Sequence, residues 1–155
     1  MSRSGQTQVI LLLADGFDEA AVSIILATLR QAGLAVSLVG LRAKRVSGAH
    51  GMVIVPNISL DGLLENSGPI LALILPAGAA HLARLRLDPR VSHLLQRSIR
   101  EEAILVSLGE QVSKLVVEMT ETNHHSINLV EPEAGTYLED FAASLAQRLV
   151  GMVEG

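Results

Sequence analysis

The sequence contains no cysteine, so disulfide bonds, thiolate metal sites and thiol nucleophiles are excluded. Aromatic residues are nearly absent, at 2% of the chain, and they comprise Phe17, Phe141 and Tyr137. The core must therefore be built from aliphatic side chains. Proteins that bind single-stranded nucleic acids stack the bases on aromatic rings, so this scarcity argues against a nucleic-acid ligand.

Charge is also scarce. Charged residues make up 18% of the 155 residues, below the roughly 25% that is typical of globular domains. The net charge of −4 argues against any polyanionic partner. Because 49% of the residues are apolar, we expect part of the apolar surface to lie in a homodimer interface.

No segment has the composition of a membrane span or a signal peptide. The uncharged run 67–83 is interrupted by Pro69, Pro76 and Gly78, and the first apolar run is short and ends at Asp15. We therefore expect a cytoplasmic protein without membrane association. Residues 1–7 are expected to be a frayed start, and residues 8–155 to form a single domain.

Four apolar segments predict strands of a sheet, and the three that have no polar residue in their interior are typical of strands buried on both faces. They lie near residues 8–14, 34–40, 70–75 and 103–107. Amphipathic stretches with helical spacing lie between and after them, over about 18–32, 88–99, 108–117 and 136–152. A short hairpin is predicted around Gly48 and Gly51. Alternating strands and helices predict a single-domain, three-layer, doubly wound α/β fold of the flavodoxin-like type, with a mainly parallel sheet covered by helices on both faces.

Several helix ends carry capping signals. Asp88 followed by Pro89 is typical of a helix start, and Gly33 of a helix end. Thr136 and Glu139 have the spacing of a capping box.

Three strand ends, ADGFDE, PAGAAH and SLGE, are expected to converge, because ligands of such sheets bind beyond the carboxyl ends of the strands. In the third segment the strand runs into Ser107, which is predicted to lie at the bend before the next helix, and this is the position of the nucleophile in many α/β enzymes. Gly16 and Gly78 are predicted to permit tight turns. An unknown small molecule is the expected ligand of a pocket at Ser107.

The run VILLLADGFDEAAVSIILATLRQAGLAVSLVGL resembles the opening of the ThiJ/PfpI superfamily, which shares the class I glutamine amidotransferase-like fold. Four further segments, GAHGMVIVPNISLDGL, LILPAGAAH, AILVSLGE and GTYLEDFAASLAQRLVG, are similar to later parts of that superfamily. The resemblance covers roughly residues 8–117 and 134–151 and depends on the order and spacing of all five segments. It implies two-fold dimers formed around the first helix and the hairpin, with His50 reaching toward the partner's site.

The chain departs from the superfamily's pattern at the positions that carry its chemistry. Ser107 stands where active members have a cysteine, and Ala21 stands where many have a glutamate. Ala77 replaces the first glycine of the oxyanion loop, whereas Gly78 is kept. The resemblance therefore implies the fold without oxidation sensing or thiol-based glyoxalase and deglycase activity.

Ser107 has two interpretations. As a nucleophile it needs a histidine base, with oxyanion donors from the backbone near Gly78 and Leu108. The candidate bases are His50, which would act across a dimer, and His81, while His93 is expected to be solvated and His124 and His125 lie in a divergent segment. As a structural residue, Ser107 forms a capping box with Glu110, worth about 1 kcal/mol.

Other polar clusters give weak signals. Asp15, Asp18 and Glu19 form either a carboxylate site or a helix cap. The adjacent pair His124 and His125 lacks a spaced third ligand, so neither a metal nor a cofactor is predicted. The favoured function is a catalytically silent, dimeric binding or scaffold module. The alternatives are a serine-dependent hydrolase or amidase that uses Ser107, and a sensor domain of a regulator standing alone.

Overall fold

Within residues 7–66, 68–120 and 127–155, which the computed structural model describes, one sheet of six parallel strands forms the centre of the molecule. Its strands are β1 (Gln8–Leu13), β2 (Val36–Gly40), β5 (Ile58–Ser59), β6 (Ile70–Leu75), β7 (Ile104–Ser107) and β8 (Leu129–Val130). Their order across the sheet is β5-β2-β1-β6-β7-β8. Strands β3 (Val46–Ser47) and β4 (Val53–Ile54) form a separate antiparallel hairpin.

Helices cover both faces of the sheet. They are α1 (Glu19–Gln31), α2 (Leu60–Glu65), α3 (Ala79–Arg86), α4 (Pro89–Arg100), α5 (Glu110–Thr120) and α6 (Leu138–Glu154). Helices α1 and α6 pack together on one face, and α2 to α5 cover the other. Within the described ranges, no helix combines the length and the apolar composition needed to cross a bilayer.

The central strand β1 explains the continuous apolar runs. Val9, Leu11 and Leu13 face the core under α1 and α6, whereas Ile10 and Leu12 face the core under α2 to α5. Since alternate side chains of a strand point to opposite faces, both sets must be apolar. The predicted three-layer α/β fold is confirmed.

The predicted hairpin is formed by β3 and β4, but the sequence missed other short elements. Strands β5 and β8 have two residues each, and α2 and α3 have six and eight residues. Such lengths are shorter than the window of about 11–18 residues over which helical periodicity can be recognised.

Of the helix-end signals at Asp88, Gly33 and Thr136, the first two are confirmed and the third is wrong. The Arg90 amide donates to Asp88 Oδ1 at 3.0 Å with Pro89 at the helix start, and Gly33 has φ +88° just beyond α1. The capping box of Thr136 and Glu139 is not formed, because α6 begins at Leu138 after Tyr137, which shifts both residues out of the required register. Of the predicted frayed start, residues 1–6 lie outside the described residues.

Candidate functional site

The loops after β1 and β6 meet at the carboxyl edge of the sheet, as the sequence predicts. The Asp18 amide donates to the Ala77 carbonyl at 2.9 Å. Gly16 and Gly78 have φ of +97° and +129°, and a Cβ on Gly78 would collide with the Gly16 carbonyl. Both glycines therefore allow a close approach of two backbones that larger residues would prevent.

Ser107 is the last residue of β7 rather than a bend. Its Cα pairs with Leu75 in the sheet, and the residue is 0% exposed. Positive φ angles in the described part of the chain belong to glycines and to Glu102. Ser107 therefore lacks the strained strand-to-helix geometry that exposes a nucleophile in α/β hydrolases.

The Ser107 hydroxyl is bonded within the protein on both sides. It donates to the Gly109 carbonyl at 2.7 Å and accepts from the Ser113 hydroxyl at 2.7 Å. The predicted capping box with Glu110 is wrong, because α5 begins at Glu110 and the serine hydroxyl donates to a carbonyl instead of accepting from a helix amide. Ser107 instead joins the end of β7 to the first turns of α5.

Leu108 does not offer the oxyanion donor expected of it. Its amide donates to the Leu75 carbonyl at 3.1 Å and so extends the ladder between β6 and β7. A backbone N–H that is used in a sheet is not free to stabilise charge on a substrate.

His81 lies in the core beside the end of β1. It is 0% exposed, and the Ala14 amide donates to its Nδ1 at 3.0 Å. Burial lowers the pKa of His81 to about 4, although the carbonyls of Ala14 and Pro76 oppose the shift. The ring is therefore neutral at pH 7, and it joins α3 to β1 instead of contacting Ser107.

Glu19 is the most heavily bonded carboxylate near the site. Oε1 accepts the His50 amide at 2.7 Å and lies 2.9 Å from His50 Nδ1, and Oε2 accepts the Met52 amide at 2.7 Å. Burial by itself would raise the pKa of Glu19, but the hydrogen bonds from Met52 and His50 outweigh burial and lower it. Glu19 therefore holds the turn between β3 and β4 against α1.

The prediction that the acidic residues before α1 cap that helix through their side chains is wrong. Asp18 precedes α1 but its side chain makes no capping hydrogen bond, and Asp15 Oδ1 accepts the Ser47 amide at 2.9 Å. Asp15 and Glu19 both bind backbone amides of the hairpin region. The hairpin lies about 30 residues away in the chain, so no local pattern could reveal this role.

The other histidines lie elsewhere. The His50 ring is 88% exposed and is bonded to Glu19 of its own chain, so its predicted reach toward a partner stays a prediction. His93 is exposed on α4, as expected. His124 and His125 lie outside the described residues. In the part of the chain that is described, no three acidic, histidine or cysteine side chains are grouped to hold a metal ion.

Comparison with known proteins identifies the family. The model of the DJ-1/PfpI family matches residues 7–124. The chain belongs to the DJ-1/PfpI family. The resemblance seen in the sequence is thereby confirmed. Comparison with curated protein sequences gave no match.

Solved structures of DJ-1 proteins share the fold. A cysteine-to-alanine mutant of a DJ-1 superfamily protein from Salmonella typhimurium has a TM-score of 0.75 at 20% identity, covering 94% of this chain and 91% of that one. Drosophila melanogaster DJ-1beta has a TM-score of 0.74 at 18% identity, covering 96% of this chain and 94% of that one. Oxidized Toxoplasma gondii DJ-1 has a TM-score of 0.73 at 12% identity, covering 96% of this chain and 98% of that one.

Ala21 offers no polar group at the position that the resemblance singles out on α1. It is buried on α1 and presents a methyl group where the resemblance implies a carboxylate. Glu19, two residues earlier, faces the hairpin through the contacts given above, so it does not substitute for the missing carboxylate. The site consequently offers Ser107 no acidic partner from α1.

Proposed function

We propose that this DJ-1/PfpI domain has lost the family's cysteine chemistry and acts as a dimeric binding or scaffold module. The observation that carries the proposal is the state of Ser107, which is fully buried with its hydroxyl bonded to Gly109 and Ser113. A serine is a weak nucleophile unless a base lies within hydrogen-bond reach. Among the described residues, no histidine hydrogen bonds to Ser107. The cytoplasm stays the proposed compartment.

The dimer is proposed to form through a hairpin–helix surface, which we define as Ala20, Ser23 and Ala27 of α1 with Met52 and Val53. All five residues are exposed, and the Ser23 hydroxyl lies 3.9 Å from the Met52 sulfur, so the two elements form one continuous surface. Small side chains on α1 permit close approach of a second helix. The exposed apolar side chains of the hairpin would be removed from water by a second copy of the chain, which favours association.

The proposal is tested by the reactivity of Ser107 and by turnover. A fluorophosphonate, which phosphonylates activated serines of hydrolases with loss of fluoride, is incubated with the wild type and with Ser107→Ala, and intact masses are compared. The expected result is no added mass on either protein, and no turnover of methylglyoxal. A wild-type adduct or turnover that disappears in Ser107→Ala would overturn the proposal and establish the hydrolase alternative.

A further inference from the structure

A cavity of about 150 Å³ opens where β1 and β2 end. Its walls come from the last residue of β1 and the two residues after it (13–15), the segment of residues 41–46 and Arg84 on α3. In open parallel sheets, ligands bind in crevices beyond the carboxyl ends of the strands. The topology therefore places this cavity where a ligand is expected, and Ser107 is not part of it.

The cavity is lined by four cationic side chains, Arg42, Lys44, Arg45 and Arg84, which together we call the basic pocket. One carboxylate, Asp15, also lines it, and its Oδ1 is bonded to the Ser47 amide. The chain as a whole carries a net charge of −4. A local excess of positive charge in an acidic protein concentrates anions at that place.

The cations of the basic pocket have no carboxylate partners among the described residues. Other cations of the molecule do: Arg90 is paired with Asp88 and Asp61, and Arg97 with Glu101. Four neighbouring positive charges that are balanced only by the single carboxylate of Asp15 repel one another. A bound anion would remove that repulsion.

The frame of the pocket is fixed by hydrogen bonds. Arg90 Nη2 donates to the Leu41 carbonyl at 3.0 Å, which holds the start of the cationic loop. Arg84 Nη1 donates to the Asp15 and Ala80 carbonyls at 3.4 and 3.3 Å. These contacts hold the backbone while leaving the charged ends of Arg42, Lys44 and Arg45 exposed.

We propose that the basic pocket binds the phosphate or carboxylate group of a small anionic molecule. Guanidinium groups donate paired hydrogen bonds to the oxygens of either group, and the lysine adds a point charge. A shallower depression next to it shares Asp15 and Arg84 and is lined by small residues of the Gly16, Gly48 and Gly78 turns. This depression accommodates the remainder of the ligand. The proposal does not depend on the dimer or on Ser107.

The test uses the full chain labelled with ¹⁵N and titrated at constant ionic strength, with inorganic phosphate in one arm and succinate in the other. Saturable shifts of the amides of residues 13–15 and 41–46 are expected in at least one arm. The responding arm shows which anionic group the pocket selects. Linear shifts that do not saturate by about 20 mM in either arm would overturn the proposal.

Two double variants distinguish binding in the basic pocket from the general attraction of anions by positive charges elsewhere on the protein. The double variant Arg42→Gln/Arg45→Gln is expected to raise the Kd for the anion about tenfold or more, which corresponds to about 1.4 kcal/mol of binding free energy. The reason is that it removes two guanidinium groups that would donate charge-assisted hydrogen bonds to the anion. Arg100→Gln/Arg148→Gln removes the same charge from exposed positions on α4 and α6 and is expected to change affinity less than about twofold. Equal weakening in both would mean an adventitious ion only. All four side chains are exposed, so thermal unfolding is expected to be unchanged and serves as the folding control.

Discussion

At the scale of single residues, the surroundings decide what Ser107 and His81 can do. Both are types that carry out catalysis in other α/β proteins, and both lie at the carboxyl edge of the sheet. Here the serine hydroxyl is used by Gly109 and Ser113, and the histidine Nδ1 by the Ala14 amide. Both side chains are also fully buried, so neither can contact a substrate that arrives from solvent.

His81 makes stability depend on pH. Its pKa is about 4 in the folded protein, against 6.5 ordinarily, so the unfolded chain takes up the proton first as the pH falls. The stability contributed by the neutral ring is fully present above pH 6.5 and is lost between pH 6.5 and 4, amounting to roughly 3 kcal/mol. Urea unfolding of the wild type and His81→Gln at several pH values measures this.

The difference between the two unfolding curves isolates His81 from the carboxylates that titrate in the same range. Glutamine keeps an acceptor for the Ala14 amide but does not titrate. The wild type should therefore lose its advantage over His81→Gln as the pH falls. Parallel curves from pH 7 to 4 would show that the ring is not held neutral.

Gly78 is the glycine whose replacement is expected to be most harmful. It has φ +129° and faces the Gly16 carbonyl at a distance too short for any Cβ. Gly78→Ala is expected to cost about 3 kcal/mol or more, since strain and backbone displacement add. Gly135→Ala is the control, because Gly135 has φ +85° but nothing within 4 Å, so it should cost only about 1 kcal/mol. Equal losses in chemical denaturation would contradict the close contact between the two loops.

At the scale of elements, the hairpin of β3 and β4 depends on a carboxylate that belongs to α1. With two residues in each strand, it makes few ladder hydrogen bonds of its own. Glu19 supplies acceptors for the amides of His50 and Met52 in the connecting turn. Glu19 therefore fixes the turn of the hairpin–helix surface, while Asp15 binds the Ser47 amide at the base of the hairpin.

Glu19→Gln is expected to loosen the hairpin without unfolding the sheet. The amide replaces one acceptor oxygen by a donor, so the His50 or Met52 N–H loses its partner. Hydrogen exchange of those amides should accelerate in the variant, whereas Asp18→Asn, which removes a carboxylate that makes no capping bond, should leave it unchanged. Because hydrogen bonds lower the pKa of Glu19 below 4.5, the same amides in the wild type stay protected above pH 4.5 and lose protection as the pH falls further. Exchange that is equally fast in both variants would contradict this role.

The long strands and helices could be predicted because their signals are local. The apolar runs of β1 and β6 and the stripe of Val22, Ile25 and Leu29 on α1 follow from burial on one or two faces. The site could be predicted only as a meeting of three strand ends. That Glu19 binds the turn, and that the Leu108 amide is used by Leu75, depends on contacts across 31 to 33 residues that no periodicity encodes.

At the scale of the whole molecule, the hairpin–helix surface is the proposed contact between two chains. Ile24, on the flank of α1, is half-buried against the core that α1 shares with α6. Its substitution by aspartate would therefore disturb the subunit as well as the dimer. Val53 is the better probe, because it is 54% exposed on the hairpin.

Val53→Asp is expected to shift a wild-type dimer toward monomer, since an unpaired charge buried in each half of a two-fold interface is heavily penalised. Val153→Asp is the matched control, with the same substitution at the same 54% exposure near the end of α6. Sedimentation velocity at tens of micromolar should show dimers for the wild type and the control. A monomeric wild type, or dissociation in both variants, would rule out this interface.

The short strands β5 and β8 at the two edges of the sheet have a consequence for how the protein behaves in a crowded solution. Each edge strand has only two residues, so it offers few unpaired amide and carbonyl groups to a strand from another molecule. Long, flat edges are the templates on which fibrils grow. Short edges protect a chain with 49% apolar residues from strand-by-strand aggregation. The proposed dimer would use the side chains of the hairpin–helix surface instead, and a two-fold contact of that kind closes after two copies rather than continuing into a filament.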